Sequence, residues 1–147
     1  MYQRILVATD GTTLARKAVT AAINLALSLD ADLVALKVIP RYQADYFDGA
    51  IAFNATELAR AEKQSAEHAQ GIVDAVQASA QAKGIKTKAV TVKSNLVSEA
   101  VIAAATKYKC DLIVMASHGR GGLKRLLLGG ETLKVLTHSR IPVLVLR

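Results

Sequence analysis

Short apolar runs alternate with stretches of helical periodicity along the whole of this 147-residue chain. The runs at residues 4–9, 32–39, 86–92, 111–115 and 141–146 have the length and composition of strands. Between them, apolar residues recur three or four positions apart, which predicts helices with one buried face. Such alternation is typical of an α/β protein whose strands lie parallel and are joined by right-handed crossovers. The pattern therefore predicts a doubly wound, five-stranded parallel sheet with helices on both faces.

Turn and capping residues set the expected limits of the helices. Thr12 is expected to cap the first helix, and Asn54-x-x-Glu57 resembles a capping box for the second, which Gly84 should end. The buried face of the first helix is expected to comprise Ala15, Ala18, Val19, Ala22, Ile23 and Ala26. That of the second is expected to comprise Leu58, Ala61, Ala69, Ile72, Val73, Val76 and Ala80. Two shorter helices are expected at 97–107 and 131–139. Residues 41–53 are interpreted either as a lid or partner surface or as a locally packed loop.

Composition and length fit one cytoplasmic domain. Hydrophobic residues make up 52% of the chain but only 4% are aromatic, so the core must be built from Ala, Val, Leu and Ile. The length predicts a single domain over residues 1–147. The apolar run near the N-terminus is too short for a signal peptide or a membrane span, so we expect no membrane association. Cys110, the single cysteine, excludes an intramolecular disulfide and is either a buried small hydrophobe or a reactive thiol.

Charge is distributed unevenly between the two parts of the chain. Residues 1–82 hold seven Lys/Arg and nine Asp/Glu, whereas residues 83–147 hold twelve Lys/Arg and three Asp/Glu. The positive part should attract anions, although a scattered, solvated face explains most of these lysines. The sequence contains neither a nucleic-acid recognition motif nor an aromatic platform for bases, so binding of nucleic acid is not favoured.

A glycine-rich segment at residues 116–132 lies between the fourth predicted strand and the last predicted helix. Backbone N–H groups at such a turn, together with the helix dipole and nearby cations, suit an anionic group such as phosphate. Asp10, at the end of the first strand, belongs to the same rim of the sheet, where doubly wound proteins bind ligands. No Ser-His-Asp or Cys-His set is recognisable, and His68, His118 and His138 lack metal-ligand spacing. Catalysis is therefore not predicted from these residues.

Four segments together resemble the universal stress protein family over essentially the full length of the chain. They are Ile-Leu-Val-Ala-Thr-Asp-Gly at 5–11, Asp-Leu-Ile-Val-Met-Ala-Ser-His-Gly at 111–119, Leu-Leu-Leu-Gly at 126–129 and Ile-Pro-Val-Leu-Val-Leu at 141–146. The resemblance implies the adenine nucleotide alpha hydrolase-like fold, with strand order 3-2-1-4-5. It also implies a homodimer formed through the C-terminal strand, residues 142–146.

Many proteins that this chain resembles bind ATP or AMP through Gly-x-x-Gly, nine residues and Gly-Ser/Thr. Here the pattern corresponds to Ala116-Ser117-His118-Gly119, nine residues and Gly129-Gly130. Ala116 replaces the first glycine, and Gly130 replaces the hydroxyl residue. Glu131 either complements the helix dipole or repels a phosphate, a repulsion that Arg120, Lys124 and Arg125 would offset. Any Mg²⁺ would be held through the nucleotide phosphates and water.

The resemblance also implies an adenosine end of the site. Ala8, Thr9 and Asp10 would line it, with Asp10 accepting from a ribose hydroxyl or the base amine; the alternative is that Asp10 is a turn or cap residue. Val38 would meet the adenine through its backbone. Met115 would pack on the base or is simply the last buried residue of its strand. The full candidate set is Ala8, Thr9, Asp10, Val38, Met115, Ala116, Ser117, His118, Gly119, Arg120, Gly129, Gly130, Glu131 and Thr132.

Three functions remain open on this basis. The favoured one is a dimeric, cytoplasmic regulatory module of the stress response that binds ATP or AMP and contacts an unknown protein partner. The second is a slow ATP hydrolase. The third is an interaction module of the same fold that binds no nucleotide.

Overall fold

Five parallel strands and four helices alternate in the computed structural model, which describes residues 1–41, 55–118 and 128–147. In chain order the elements are β1 (Arg4–Ala8), α1 (Thr13–Leu29), β2 (Asp32–Ile39), α2 (Ala55–Gln81), β3 (Thr87–Lys93), α3 (Val97–Lys107), β4 (Leu112–Ala116), α4 (Gly130–His138) and β5 (Val143–Leu146). The strands lie in the order β3-β2-β1-β4-β5. The predicted fold is therefore confirmed. Residues 42–54, including Asn54 of the expected capping box, lie outside the described residues.

Two apolar cores separate on the two faces of the sheet because successive strand residues point to opposite sides. Ile5 and Val7 of β1 pack with the buried faces of α1 and α2. Leu6, between them, packs instead with Val101 of α3 and Val135 of α4. Since both faces are covered, the inner strands contain almost no polar residue, as expected for a parallel sheet.

Thr12 and Gly84 lie at helix ends as the sequence predicts, and two non-glycine residues at other helix ends adopt a left-handed conformation. Thr12 caps α1 by accepting from the N–H of Ala15, as predicted. Gly84, with φ of 82°, ends the turn after α2, also as predicted. Asp30 (φ 54°) and Lys109 (φ 56°) adopt the same left-handed conformation after α1 and α3. Non-glycine residues thus occupy positions that favour glycine at two of these three helix ends.

Most boundaries shift by a single residue, but the last strand is shorter than expected. β5 begins at Val143, whereas the sequence predicts a strand from Ile141. Pro142 has no N–H to donate to the ladder, and the N–H of Ile141 donates to Ser139 Oγ at 3.0 Å. A local turn therefore replaces the first two expected strand residues.

Cys110 behaves as a buried hydrophobe. Its side chain is 6% exposed within the α3/α4 core, and burial raises the pKa of its thiol to about 11. The interpretation as a reactive thiol is therefore not supported.

Within residues 1–41, 55–118 and 128–147, no helix has both the length and the apolar character needed to cross a membrane.

Candidate functional site

The candidate site lies at the carboxyl ends of the two central strands. β1 pairs with β2 on one side and with β4 on the other, so the strand order reverses beside β1. The pairing of Val7 with Val114 brings the segments that follow these strands side by side. Thr9-Asp10 and Ser117-His118, about a hundred residues apart in the chain, therefore meet at one rim. Open parallel sheets bind ligands in this position.

Thr9 and Asp10 are held by the turn that starts α1. The N–H of Thr9 donates to Leu36 O at 2.9 Å and ties the rim to β2. Asp10 Oδ1 accepts from Thr12 N at 3.0 Å and from Thr12 Oγ1 at 2.6 Å. These bonds support the interpretation of Asp10 as a turn residue. Its role as acceptor for a ribose hydroxyl or the base amine stays a prediction.

Ala8, Val38 and Met115 lie on one face of the sheet, that of α3 and α4. Val38 is 8% and Met115 7% exposed, and each is followed by another buried residue of its strand, Ile39 and Ala116, so Met115 is not the last buried residue of β4 as one interpretation expected. The structure thus gathers on one face three residues that the family resemblance assigns to the adenosine end: Ala8 as lining, Val38 through its backbone and Met115 through its side chain. Contact with a base is not tested by this packing.

The start of α4 is fastened directly to the end of β4. Ser117 donates its N–H to Leu146 O, and its carbonyl accepts from Gly129 N at 2.7 Å. Thr132, which is buried, donates its hydroxyl to Ala116 O at 2.9 Å. Gly129 is the N-cap of α4 and provides no side-chain cap. The first-turn N–H groups of α4 are therefore placed at the rim without a capping side chain.

His118 carries a buried polar atom in need of a partner. Its Nδ1 lies 2.9 Å from Ser117 Oγ. Its Nε2 is buried and has no hydrogen-bond partner among the described residues. An unsatisfied buried polar atom is costly, which suits a ligand contact at this position. Gly119 and Arg120, together with Lys124 and Arg125, lie outside the part of the chain that the structure describes.

Glu131 lies in the first turn of α4, where its charge complements the helix dipole as one interpretation expected, and it has a second role that the sequence did not predict. Its Oε2 accepts from Ser98 N of α3 at 2.9 Å, and Oε1 lies 3.4 Å from Lys134 Nζ. The carboxylate therefore caps a neighbouring helix, and its bonds run to α3 and Lys134. Leu96, the N-cap of α3, provides no side-chain cap, so Glu131 supplies what the local sequence lacks. The apolar Leu96 at the start of α3 was the sequence signal that a residue of another element caps this helix.

The described part of the rim presents both polar and apolar groups to a ligand. Searching residues 1–41, 55–118 and 128–147 gives no group of three or more His, Cys, Asp or Glu side chains able to hold a metal ion. What the rim offers is the start of a helix, an unsatisfied imidazole nitrogen and an apolar face. This combination suits a ligand that is apolar at one end and anionic at the other.

Comparison with known proteins gives consistent matches. The sequence model of the universal stress protein family matches residues 1–147. A universal stress protein of Methanocaldococcus jannaschii is 31% identical over 147 residues, covering 100% of this chain and 83% of that protein. The structure of universal stress protein UspA from Lactobacillus plantarum matches with a TM-score of 0.81 and 26% identity, covering 99% of this chain and 98% of that one. A universal stress protein solved in complex with cAMP has the same fold, with a TM-score of 0.69 and 24% identity, covering 99% and 97% of the two chains.

Proposed function

This chain belongs to the universal stress protein family, and from that premise we propose that it is a regulatory protein of the stress response that binds ATP or AMP at the rim between β1 and β4. The observation that carries the proposal is the start of α4. Its N-cap, Gly129, leaves the first-turn N–H groups without a side-chain cap, and two hydrogen bonds hold that turn against the end of β4. A fixed helix N-terminus of this kind stabilises phosphate through its N–H groups and dipole.

Each end of the nucleotide has its own set of residues in this proposal. The adenosine lies against Ala8, Val38 and Met115, with Thr9 and Asp10 at its edge. The phosphates lie at Ala116–His118 and Gly129–Thr132, together with Gly119 and Arg120. In this proposal Ser117 Oγ is the donor and His118 Nδ1 the acceptor of their 2.9 Å contact, which assigns the ring proton to Nε2 for donation to a phosphate oxygen. Mg²⁺, when present, is bound through the phosphates.

The same proposal extends to assembly and location. Residues 1–147 form one universal stress protein domain, which pairs with a second copy through residues 142–146 and acts in the cytoplasm on a protein partner. A protein with this fold has been solved in complex with cAMP, which supports the proposal that this architecture binds an adenine nucleotide. That likeness is one of fold, so the choice between ATP and AMP rests on measurement with this chain.

Calorimetric titration with ATP and AMP tests the phosphate end. Gly129→Val places a branched side chain beside the first-turn N–H groups of α4, so we expect affinity to fall by about tenfold or more. Gly71→Val is the matched control, because Gly71 lies on α2 and a Cβ there meets no atom within 4 Å. Equal affinities for Gly129→Val and the parent would contradict the phosphate assignment.

Two further outcomes separate the alternative functions. Phosphate release from ATP that is lost in Gly129→Val would indicate a hydrolase that uses this site. No binding of ATP or AMP by the parent, with mass spectrometry showing no nucleotide retained during purification, would leave an interaction module.

A further inference from the structure

A large cavity lies between α1 and α2, on the face of the sheet opposite α3 and α4. Its volume is about 780 Å³, within the range of cavities that enclose small organic ligands. Val19 and Ile23 of α1 form one apolar wall, and Ile72 and Val76 of α2 form the other. At one end the cavity reaches Thr9 and Gly11, and at the other it reaches Lys83. It is thus a long, largely apolar cleft that meets the adenosine end of the proposed nucleotide site at Thr9 and does not include the start of α4.

Arg16, an exposed residue of α1, gives one end of this cavity a positive charge. It lines the cavity near the N-terminus of α1, where the helix dipole disfavours a cation. The first turn of α1 contains no acidic residue, and Arg16 forms no ion pair with another described residue. Lys83, at the opposite end, follows the C-terminus of α2, where the dipole favours a cation. Arg16 is therefore a cation without an acidic partner among the described residues.

One acidic side chain shares the Arg16 end. Glu67 lines the cavity, but its Oε1 lies 3.9 Å from Lys63 Nζ on the same helix. His68 is the other ionisable group at that level of α2. Because the side chains of Lys63 and Glu67 are both exposed, their ion pair is weak, and Glu67 remains a second charge at this end beside Arg16.

We propose that the cavity binds an amphipathic carboxylate of the fatty-acid class, with its carboxylate on Arg16 and its chain between the two apolar walls. A guanidinium binds a carboxylate through two parallel hydrogen bonds, which fixes the head group. From His68 to Gln81, its last residue, α2 extends about 20 Å at 1.5 Å per residue, enough to lie along an extended aliphatic chain. The small residues Gly71, Ala75 and Ser79 on α2 leave the width that such a chain needs.

Titration of the full chain with dodecanoate, below its micelle concentration, tests the proposal. Arg16→Gln should weaken dodecanoate binding by about tenfold, because a charge-assisted bidentate bond is lost. Lys17→Gln, which removes the same charge from the next residue outside the cavity, should leave the affinity unchanged. Dodecanol lacks the carboxylate, so its affinity should be the same for Arg16→Gln and the parent.

The apolar part is tested by filling the cavity. Gly71 is helical, and a Cβ there meets no atom within 4 Å, so Gly71→Leu should preserve the fold and reduce binding of both probes by about tenfold or more. Gly71→Ala adds one methyl group and should bind as the parent does. If Gly71→Leu fails to fold, Ala75→Leu on the same wall replaces it.

Three results would overturn the proposal: no binding of dodecanoate by the parent, equal losses in Arg16→Gln and Lys17→Gln, or undiminished binding by a folded cavity-filling variant. The affinities for ATP and AMP should be unchanged in Arg16→Gln and Gly71→Leu, so failure of this proposal is distinguishable from failure of the nucleotide site.

Discussion

Glu131 joins the N-termini of two helices. It lies in the first turn of α4, yet its Oε2 accepts from Ser98 N in the first turn of α3 at 2.9 Å. We expect Glu131→Ala to lower the free energy of unfolding by about 1 kcal/mol, because α3 then loses its cap. Glu131→Gln keeps an acceptor oxygen and should cost less. Urea unfolding measures both changes, and amide exchange at Ser98 should accelerate in Glu131→Ala alone.

The orientation of Glu131 also bears on nucleotide affinity. Since its carboxylate is bound to Ser98 N, we expect Glu131→Gln to change the ratio of ATP to AMP affinity by less than about twofold. A large rise in ATP affinity alone would mean that the charge acts on the phosphates after all.

Gly130 stands where the resemblance to nucleotide-binding universal stress proteins implies a hydroxyl residue. It is exposed, and a Cβ there meets no atom within 4 Å, so a serine side chain fits. Gly130→Ser should raise nucleotide affinity by about threefold to tenfold, the value of one added hydrogen bond. Gly130→Ala is the control, because it shares the gain in helix propensity without the hydroxyl. Calorimetry in which both variants gain equally would exclude a hydroxyl contact.

Cys110 should be chemically inert in the folded protein. With a pKa raised to about 11, its thiol stays protonated at pH 8, and the side chain is 6% exposed. Alkylation by iodoacetamide should therefore require unfolding in guanidinium. Between pH 9.0 and about 11 the thiol is ionised in the unfolded chain but still protonated in the folded one, so folded stability falls across this window. Rapid labelling of the native protein at pH 8 would contradict this assignment.

At the level of elements, Lys109 adopts a conformation that costs stability. It ends α3 with φ of 56°, and the following N–H, that of Cys110, donates to Ala105 O at 2.8 Å. Lys109→Gly should raise the free energy of unfolding by about 1 kcal/mol, since glycine reaches this conformation without steric cost. Lys107→Gly, inside the last turn of α3, should lower it by a similar amount. In thermal unfolding, the midpoint temperature should be higher than that of the parent for Lys109→Gly and lower for Lys107→Gly.

Elements were predictable where the information is local. The periodic face of α1, the cap at Thr12 and the stop at Gly84 follow from residues within one or two turns of each other. The start of β5 was wrong because Ser139 competes for the N–H of Ile141, a contact that apolar composition does not report. The cap that Glu131 places on Ser98, 33 residues away, has no local pattern, and neither does the cavity between α1 and α2. Contacts between residues that are distant in the chain were therefore the part of the structure that the sequence did not predict.

On the scale of the whole molecule, the two edges of the sheet differ. β3 forms one edge, and its exposed Lys88 and Lys93 resist pairing with another chain. β5 forms the other edge and contains only Val and Leu, of which Leu144 is 40% exposed. An apolar edge without a charge favours association. This asymmetry supports pairing of β5 with β5 of a second copy about a two-fold axis.

Val145→Glu should shift the mass in sedimentation equilibrium from dimer toward monomer, because it places a charge within that self-complementary contact. Thr91→Glu is the matched control: it introduces the same charge on β3 at the opposite edge and should leave the mass unchanged. Backbone exchange then tests the parent without mutation. Amides of residues 143–146 should become more protected as protein concentration rises, since their second hydrogen-bonding edge is filled only in the dimer. A monomer mass for the parent, together with amide protection that does not depend on protein concentration, would contradict dimerisation through β5.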